Sequence, residues 1–253
     1  MKRKTEFMKQ NNNSTWFTLI TALFVGTLIV SNIVAVKLVS IFGLVLPAAV
    51  VLFPLTYIIG DVMTEVYGYA RARRVIWIGF FANLVAVGAI LLAGAIPAVP
   101  FWTLNGAYAN AGEAQHAYDA ILGFTPRLLA ASFIAYLAGE FLNSFVLAKM
   151  KIATKGRFLW TRTIGSTLIG QAADTIIFIT AAFAFTQDMS FERIVVTVVS
   201  QWGFKVAYEA LATPLTYAAV RFLKKAEGID VYDRSTNFSP IPFLRKRETR
   251  KAN

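Results

Sequence analysis

The sequence predicts an all-α integral membrane protein, a bundle of six transmembrane helices with both termini in the cytoplasm. Three observations carry that prediction. Of 253 residues, 57% are hydrophobic and only 15% are charged, whereas a soluble domain carries about a quarter charged residues. Six apolar runs each reach the roughly 20 residues that a helix needs to cross about 30 Å of hydrocarbon. The Lys and Arg residues fall on alternate connections between those runs.

The elements follow in order. Residues 1–16, MKRKTEFMKQNNNSTW, form a polar, basic leader. The run after it is long enough to span, so it reads as a first transmembrane helix rather than a cleaved signal. The runs lie at about 17–38, 45–66, 74–97, 127–149, 162–186 and 193–222. Together they make one transmembrane domain, 17–222, with an outer loop at 98–126 and a basic tail at 223–253. None of the runs alternates at period two, which argues against a membrane barrel. Without water in the bilayer core, helices then remain the way to pair the backbone.

Orientation comes from the basic residues. The leader holds Lys2, Arg3, Lys4 and Lys9. Arg71, Arg73 and Arg74 follow the second run. Lys149, Lys151, Lys155, Arg157 and Arg162 follow the fourth, and the tail from Arg221 to Lys251 is again basic. Of the 25 Lys and Arg, only Lys37, Arg127, Arg193 and Lys205 fall elsewhere. The positive-inside rule then places both termini in the cytoplasm, which suits an even number of crossings. The membrane is the cell membrane, the inner one in a Gram-negative cell. The outer segment 98–126 carries Phe101, Trp102, Tyr108 and Tyr118; an interfacial loop and a folded-back lid both fit it. Thr125 is a candidate N-cap, with Pro126 at the first helical position. The basic stretch 245–251 suits either contact with anionic lipid or a solvated topology anchor.

Composition also excludes function classes. The net charge of +11 is spread over loops and tails rather than gathered on one face, so no nucleic-acid partner is expected. There is no Cys and one His, His116, hence no disulfide framework, no Cys-based or His-rich metal site and no expected cofactor. An intramembrane enzyme needs a nucleophile–base pair, a metal cluster or a phosphate cradle. The sequence lacks H-E-x-x-H, G-x-x-x-x-G-K and G-x-S-x-G; paired aspartates, Asp61 with Asp174, are the arrangement left open. No catalytic residue is assigned. Oligomeric state stays open, a homo-oligomer included: Ser166-xxx-Gly170 is a small-xxx-small pair that could serve within one bundle or between two chains.

The informative residues are polar ones inside the apolar runs: Asn32, Lys37, Asp61, Glu65, Glu140, Asn143, Gln171, Asp174, Lys205 and Glu209. Asp61, Glu140, Asp174, Lys205 and Glu209 lie well inside. A charge at the bilayer centre costs about 2.5–3.5 kcal/mol, so five facing lipid would cost roughly 10–15 kcal/mol, comparable with a whole protein's stability. They must face one another or a wet cavity, or be neutral. Spacing supports convergence. Ser132, Tyr136, Glu140 and Asn143 share one helix face. So do Thr167, Gln171 and Asp174; Gln201, Lys205 and Glu209; and Tyr57, Asp61 and Glu65. Four polar stripes imply a central polar cavity, and a scaffold has no need of one.

Blander roles stand beside these. Glu65, near the cytoplasmic end, could pair with Arg71 or Arg73. Lys37 sits where it can snorkel. Lys205 and Glu209, one turn apart, could form a private ion pair, though buried pairs seldom repay desolvation. Glu140 and Asp174 have no basic residue within a turn on their own helices and are the stronger candidates. Pro54 and Pro214 fall inside runs, where each can kink a helix; broken helices often flank transporter sites.

The same residues resemble the queuosine precursor transporter family, also called the vitamin uptake transporter family, over about residues 27–220. The resemblance rests on Ser31-Asn32 with Lys37, Phe53-Pro54, Gly60-Asp61, Glu65-Val66-Tyr67-Gly68 and Ala70-Arg71-Ala72-Arg73-Arg74. It continues through Arg127, Ala131-Ser132-Phe133, Ala135-Tyr136 and Glu140 to Asn143. Arg162-Thr163, Ser166-Thr167, Gly170-Gln171, Asp174-Thr175 and Lys205-Val206 complete it. Each fragment is weak alone; the ordered set is specific.

The resemblance implies uptake of 7-deazaguanine precursors of queuosine, in the nitrile or aminomethyl form. It also implies a fold similar to the substrate-binding subunits of energy-coupling-factor vitamin transporters, working without their ATPase. The alternative is a capture subunit for another small vitamin-like molecule that works with a partner ATPase. A deazaguanine shows two adjacent N–H donors and one carbonyl. A carboxylate can take both donors, an amide or ammonium can answer the carbonyl, and aromatic walls suit the ring faces. Glu140 or Asp174 is expected at the donor edge. Gln171, Asn143, Asn32 and Lys205 are candidate donors, and Phe178, Tyr136 and Tyr208 candidate walls. Asp61 and Glu209 complete the expected substrate-binding set. Energy coupling stays open between proton symport and facilitated diffusion.

Overall fold

The computed structural model describes residues 14–41, 44–123, 126–184 and 190–241. Helix α1 spans Thr15–Val34. An antiparallel hairpin follows, β1 Leu38–Ile41 and β2 Leu44–Pro47, with Leu38 opposite Pro47 and Ile41 opposite Leu44. A 3₁₀ turn at Ala48–Val51 leads into α2, Phe53–Tyr67, and then α3, Tyr69–Ala95. The outer segment contains α4, Ala111–Leu122. Three long helices complete the chain: α5 Pro126–Ala153, α6 Leu159–Phe183 and α7 Phe191–Glu227.

Among the described residues four helices are long and apolar enough to cross a membrane: α1, α3, α5 and α6. The apolar windows of α1, α3 and α6 are only 22%, 28% and 39% buried. Their outward faces, with Phe81, Leu92 and Ile176 exposed, are surface that lipid rather than water would cover.

The second expected crossing, 45–66, is not one helix. Its first part is strand and 3₁₀ turn, and α2 has 15 residues, about 22 Å long against a hydrocarbon thickness of about 30 Å. The physical reason lies in the run 44–52. It is apolar throughout and holds three Val, so hydropathy alone cannot tell strand from helix, and Pro47 interrupts it where β2 ends. Pro54 is likewise corrected: it sits in the first turn of α2, where its missing N–H costs nothing and its fixed φ starts the helix. Pro214 does lie inside α7. The structure ends α1 at Val34, before Lys37, because the chain turns there into the hairpin.

Small residues set the crossing of α5 and α6. A Cβ on Gly170 would lie 2.6 Å from the Asn143 Cβ and 2.9 Å from the Gly139 carbonyl oxygen, so only hydrogen fits between the two backbones. The expected Ser166-xxx-Gly170 pair therefore brings Gly170 against α5 of the same chain. α7 packs on α6 and α2, and α1 packs on α2 and α3.

The start of α1 and the end of α7 meet. Ser14 caps α1 by accepting from the Phe17 N–H at 3.0 Å, and its hydroxyl donates to the Glu227 carboxylate. From this termini end, residues 228–241 run back as a strap across the α2–α3 turn. The Val231 N–H donates to the Val66 carbonyl at 3.2 Å, and the Asp233 carboxylate accepts from the Tyr69 N–H at 2.9 Å. Farther along, Arg73 donates to the carbonyls of Asn237 and Ser239. Gly68, at φ +81°, makes the turn, and a Cβ there would meet Val231 at 2.6 Å. Both the left-handed backbone and the strap therefore require glycine.

At the opposite end α4 lies back on α3. Gln115 donates to the Gly94 carbonyl at 3.2 Å and Tyr118 to the Ile90 carbonyl at 3.0 Å. Part of the outer segment 98–126 is thus a short helix packed on α3. The Thr125 cap and the basic stretches 1–9 and 245–251 lie outside the described residues; α5 does begin at Pro126.

Candidate functional site

The polar stripes meet, and they do so in three tiers along the bundle. At the termini end Glu65 is fully buried. Arg162 embraces it through Nε at 3.2 Å and Nη2 at 2.9 Å, a fork matched to a carboxylate. Lys224 Nζ approaches the same carboxylate at 2.7 Å and Lys151 Nζ at 3.5 Å. Both lysines also reach Asp230 of the strap, at 2.9 and 2.5 Å. Partial burial acts to raise the Asp230 pKa, but the two ammonium groups outweigh it and hold that carboxyl below the usual carboxylate range.

Two expectations are corrected here. Glu65 does not pair with Arg71 or Arg73, because Arg71 lies over the Phe17 and Tyr67 rings and Arg73 reaches the strap carbonyls. Lys151 and Arg162, read as loop charges, are each only 1% exposed. The signal for this was present: Arg162 stands at the very start of an apolar run, where α6 carries it inward.

The middle tier holds Asp61, Asn143 and Glu209, all buried. Asn143 Nδ2 donates to Asp61 Oδ1 at 2.7 Å. Thr64 donates to Ser144 Oγ at 3.1 Å beside it.

The third tier opens into a cavity of about 580 Å³, within the usual range for small-molecule sites. Asn32 of α1, Tyr57 of α2, Tyr136 and Glu140 of α5, Gln171, Asp174 and Phe178 of α6, and Lys205 of α7 all line it. Leu46, Pro47 and Ile121 cover its far side, so the hairpin and α4 form the end away from the termini. Irregular backbone at such depth is tolerated where it lines a cavity. Lys205 Nζ pairs with Asp174 at 2.7 Å, donates to Thr175 Oγ1 at 3.2 Å and lies 5.8 Å from the Tyr57 ring centre. The private Lys205–Glu209 pair is therefore corrected: the ammonium bends toward α6, where a carboxylate stands at one side of the open cavity. Glu140 has no such ion pair among the described residues. It is 7% exposed and has room because residue 60 is glycine, whose Cβ would lie 3.3 Å from Glu140 Oε2. Tyr136 is held by donating to the Ile76 carbonyl at 3.0 Å.

Of the residues singled out from sequence, Asp61, Asn143 and Glu209 sit one turn below the cavity. Tyr208 is half-buried and does not line it. Tyr57 does, as the stripe on the second run implied, but its role as a wall becomes visible only when α1 and α6 are in place. Among the described residues no group of three or more His, Cys, Asp or Glu is arranged to hold a metal.

A family model described as "Putative vitamin uptake transporter" matches residues 47–219. A "Probable queuosine precursor transporter" of Bacillus subtilis (strain 168) is 29% identical over 200 residues, which cover 78% of this chain and 81% of that protein. A "Queuosine precursor transporter" of Escherichia coli (strain K12) is 27% identical over 173 residues, covering 68% of this chain and 70% of that protein. No solved structure matches the chain.

Proposed function

This chain belongs to the vitamin uptake transporter family and is thus a transporter rather than an enzyme, and on that premise we propose that it carries a queuosine precursor into the cytoplasm. The cargo is 7-cyano-7-deazaguanine or 7-aminomethyl-7-deazaguanine. The names of the two relatives support this reading. The observation that carries it is the pairing pattern in the cavity: Asp174 is neutralised by Lys205, while Glu140 faces the same space without an ion pair among the described residues.

Glu140 then takes the two adjacent N–H donors of the deazaguanine, a bidentate match for a carboxylate. Lys205, steadied by Asp174 and Thr175, donates to the ring carbonyl, with Gln171 and Asn32 as further amides at the wall. Tyr136, Tyr57 and Phe178 offer faces for the bicyclic ring. Asp61, Asn143 and Glu209 act from beneath rather than by contact.

The chain crosses the cell membrane six times with both termini inside. The basic connections at the termini end, with Arg71, Arg73, Arg74, Lys149 and Lys155, support that orientation. α2 completes its crossing together with the hairpin and 3₁₀ turn, and α7 is long enough alone. The carrier works without a partner ATPase.

Competitive uptake tests the cargo: accumulation of labelled precursor in cells expressing the chain, challenged with both deazaguanines, guanine and several vitamins. The deazaguanines should compete and the vitamins should not. Competition by a vitamin alone would replace the cargo. Loss of uptake in cells devoid of energy-coupling ATPases would restore the capture-subunit alternative.

A further inference from the structure

The middle tier has more acceptors than donors. Asp61 and Glu209 are 0% and 1% exposed. Asp61 Oδ1 receives the Asn143 amide, but Asp61 Oδ2 and both Glu209 oxygens find no hydrogen-bond partner among the described residues. Asn143 has turned its donor to Asp61, so its own oxygen belongs to the same cluster, and that oxygen is also buried and unpartnered. Gln171 Oε1, on the helix whose Gly170 touches Asn143, is a further buried acceptor without a partner. Native interiors rarely leave such groups unsatisfied, and one amide hydrogen bond shared by two buried carboxylates repays little of their lost hydration.

No basic side chain of the described residues pairs with this tier. Arg162, Lys151 and Lys224 are engaged on Glu65, and Lys205 on Asp174. The helix α1 packed against α2 carries no charge. From α3, Arg71 and Arg73 are spent on rings and strap carbonyls at the termini end. The charged groups that act on Asp61 are Glu209, Glu140 and Glu65, all acidic.

We propose that Asp61 and Glu209, with the Asn143 carboxamide oxygen, form a buried binding site for one monovalent cation, either a sodium ion held by these oxygens or a proton taken up by the carboxyl pair. Oxygen ligands suit hard cations. Divalent ions fit less well, since Ca²⁺ takes about six to eight oxygens and Mg²⁺ keeps several waters. The site lies one helical turn beneath Tyr57, Glu140 and Lys205 on the same three helices, so filling it alters the charge felt by the cavity floor. This deepens the transport reading and rests on it: the cation is the coupling ion for accumulation.

Thermal unfolding of the purified full-length protein, without substrate, tests the site. It is followed in sodium chloride and in choline chloride at equal ionic strength, at several pH values. A bound sodium lowers the unfolding constant about 100-fold when its concentration is 100 times its Kd. A bound proton instead lowers it by up to about tenfold per pH unit of acidification. Either response should vanish in Asp61→Asn and Glu209→Gln. A wild-type protein that responds to neither sodium nor pH overturns the proposal, as does a response that persists unchanged in both variants. Should the variants not fold, carbodiimide labelling of the wild type, read by mass spectrometry, replaces them. Label on Asp61 or Glu209 that sodium or rising pH suppresses supports the site; no label there at any pH together with no sodium response overturns it. Because no deazaguanine is present, failed uptake would sink the transport reading without touching this result.

Discussion

Replacing Glu65 by Gln tests the tier that holds the termini end together. The carboxylate is 0% exposed and receives Arg162 through two hydrogen bonds at 3.2 and 2.9 Å, with Lys224 at 2.7 Å and Lys151 at 3.5 Å. Gln keeps the shape and removes the charge, so Arg162, only 1% exposed, loses its counter-ion, while the equally buried Lys151 is left with Asp230. Removing one partner of a buried pair typically costs about 3–5 kcal/mol. For a chain of this size, each kcal/mol moves Tm by about 2–4 °C, so the variant should melt roughly 6–20 °C lower. Lys224→Gln should cost much less, since Lys224 is a quarter exposed and leaves Glu65 with Arg162. Thermal melts of the purified protein decide it. A Glu65→Gln melt within about 2 °C of wild type, or one milder than that of Lys224→Gln, would refute the claim that Glu65 is the hub.

Two further outcomes follow from local geometry. Gly170→Ala should destabilise by about 1–3 kcal/mol, because its Cβ meets backbone and Asn143 within 3 Å. Gly88→Ala, with nothing within 4 Å, should be neutral or raise Tm through helix propensity; equal effects in the two melts would contradict the α5–α6 crossing. Asp230 titrates below its ordinary value of about 3.9, so its anchoring of the strap is fully present above that pH and is lost as pH falls through the lower folded value. Wild type and Asp230→Asn should therefore differ in Tm near neutrality and converge in acid; a gap that widens in acid would reverse the sign.

Much of this architecture was legible in the sequence. Apolar length located α1, α3, α5, α6 and α7 to within a few residues, since that signal is local. The stripes on four of the runs were equally local, and Glu140, Asp174 and Lys205 do meet at one cavity. The partners were not legible. Arg162 finds Glu65 across 97 positions and Lys224 does so across 159, distances over which neither charge nor period carries information. The hairpin at 38–47 escaped because Val and Leu serve a buried strand and a membrane helix alike. The strap escaped because its carboxylates, Asp230 and Asp233, meet partners far off in sequence, and its farther contacts run through backbone carbonyls of Asn237, Ser239 and Pro240, which no side-chain pattern announces.

Direct binding of 7-cyano-7-deazaguanine to the purified protein, measured by calorimetry for wild type and Glu140→Gln, tests the transport reading most sharply. The wild type should bind with one site per chain. The variant should stay folded and lose at least about tenfold in affinity, about 1.4 kcal/mol, because one ring N–H is then left facing an amide donor. Binding by Glu140→Gln equal to that of a wild type that binds would remove Glu140 from the site; a folded wild type that binds no deazaguanine at all would contradict the proposed function itself.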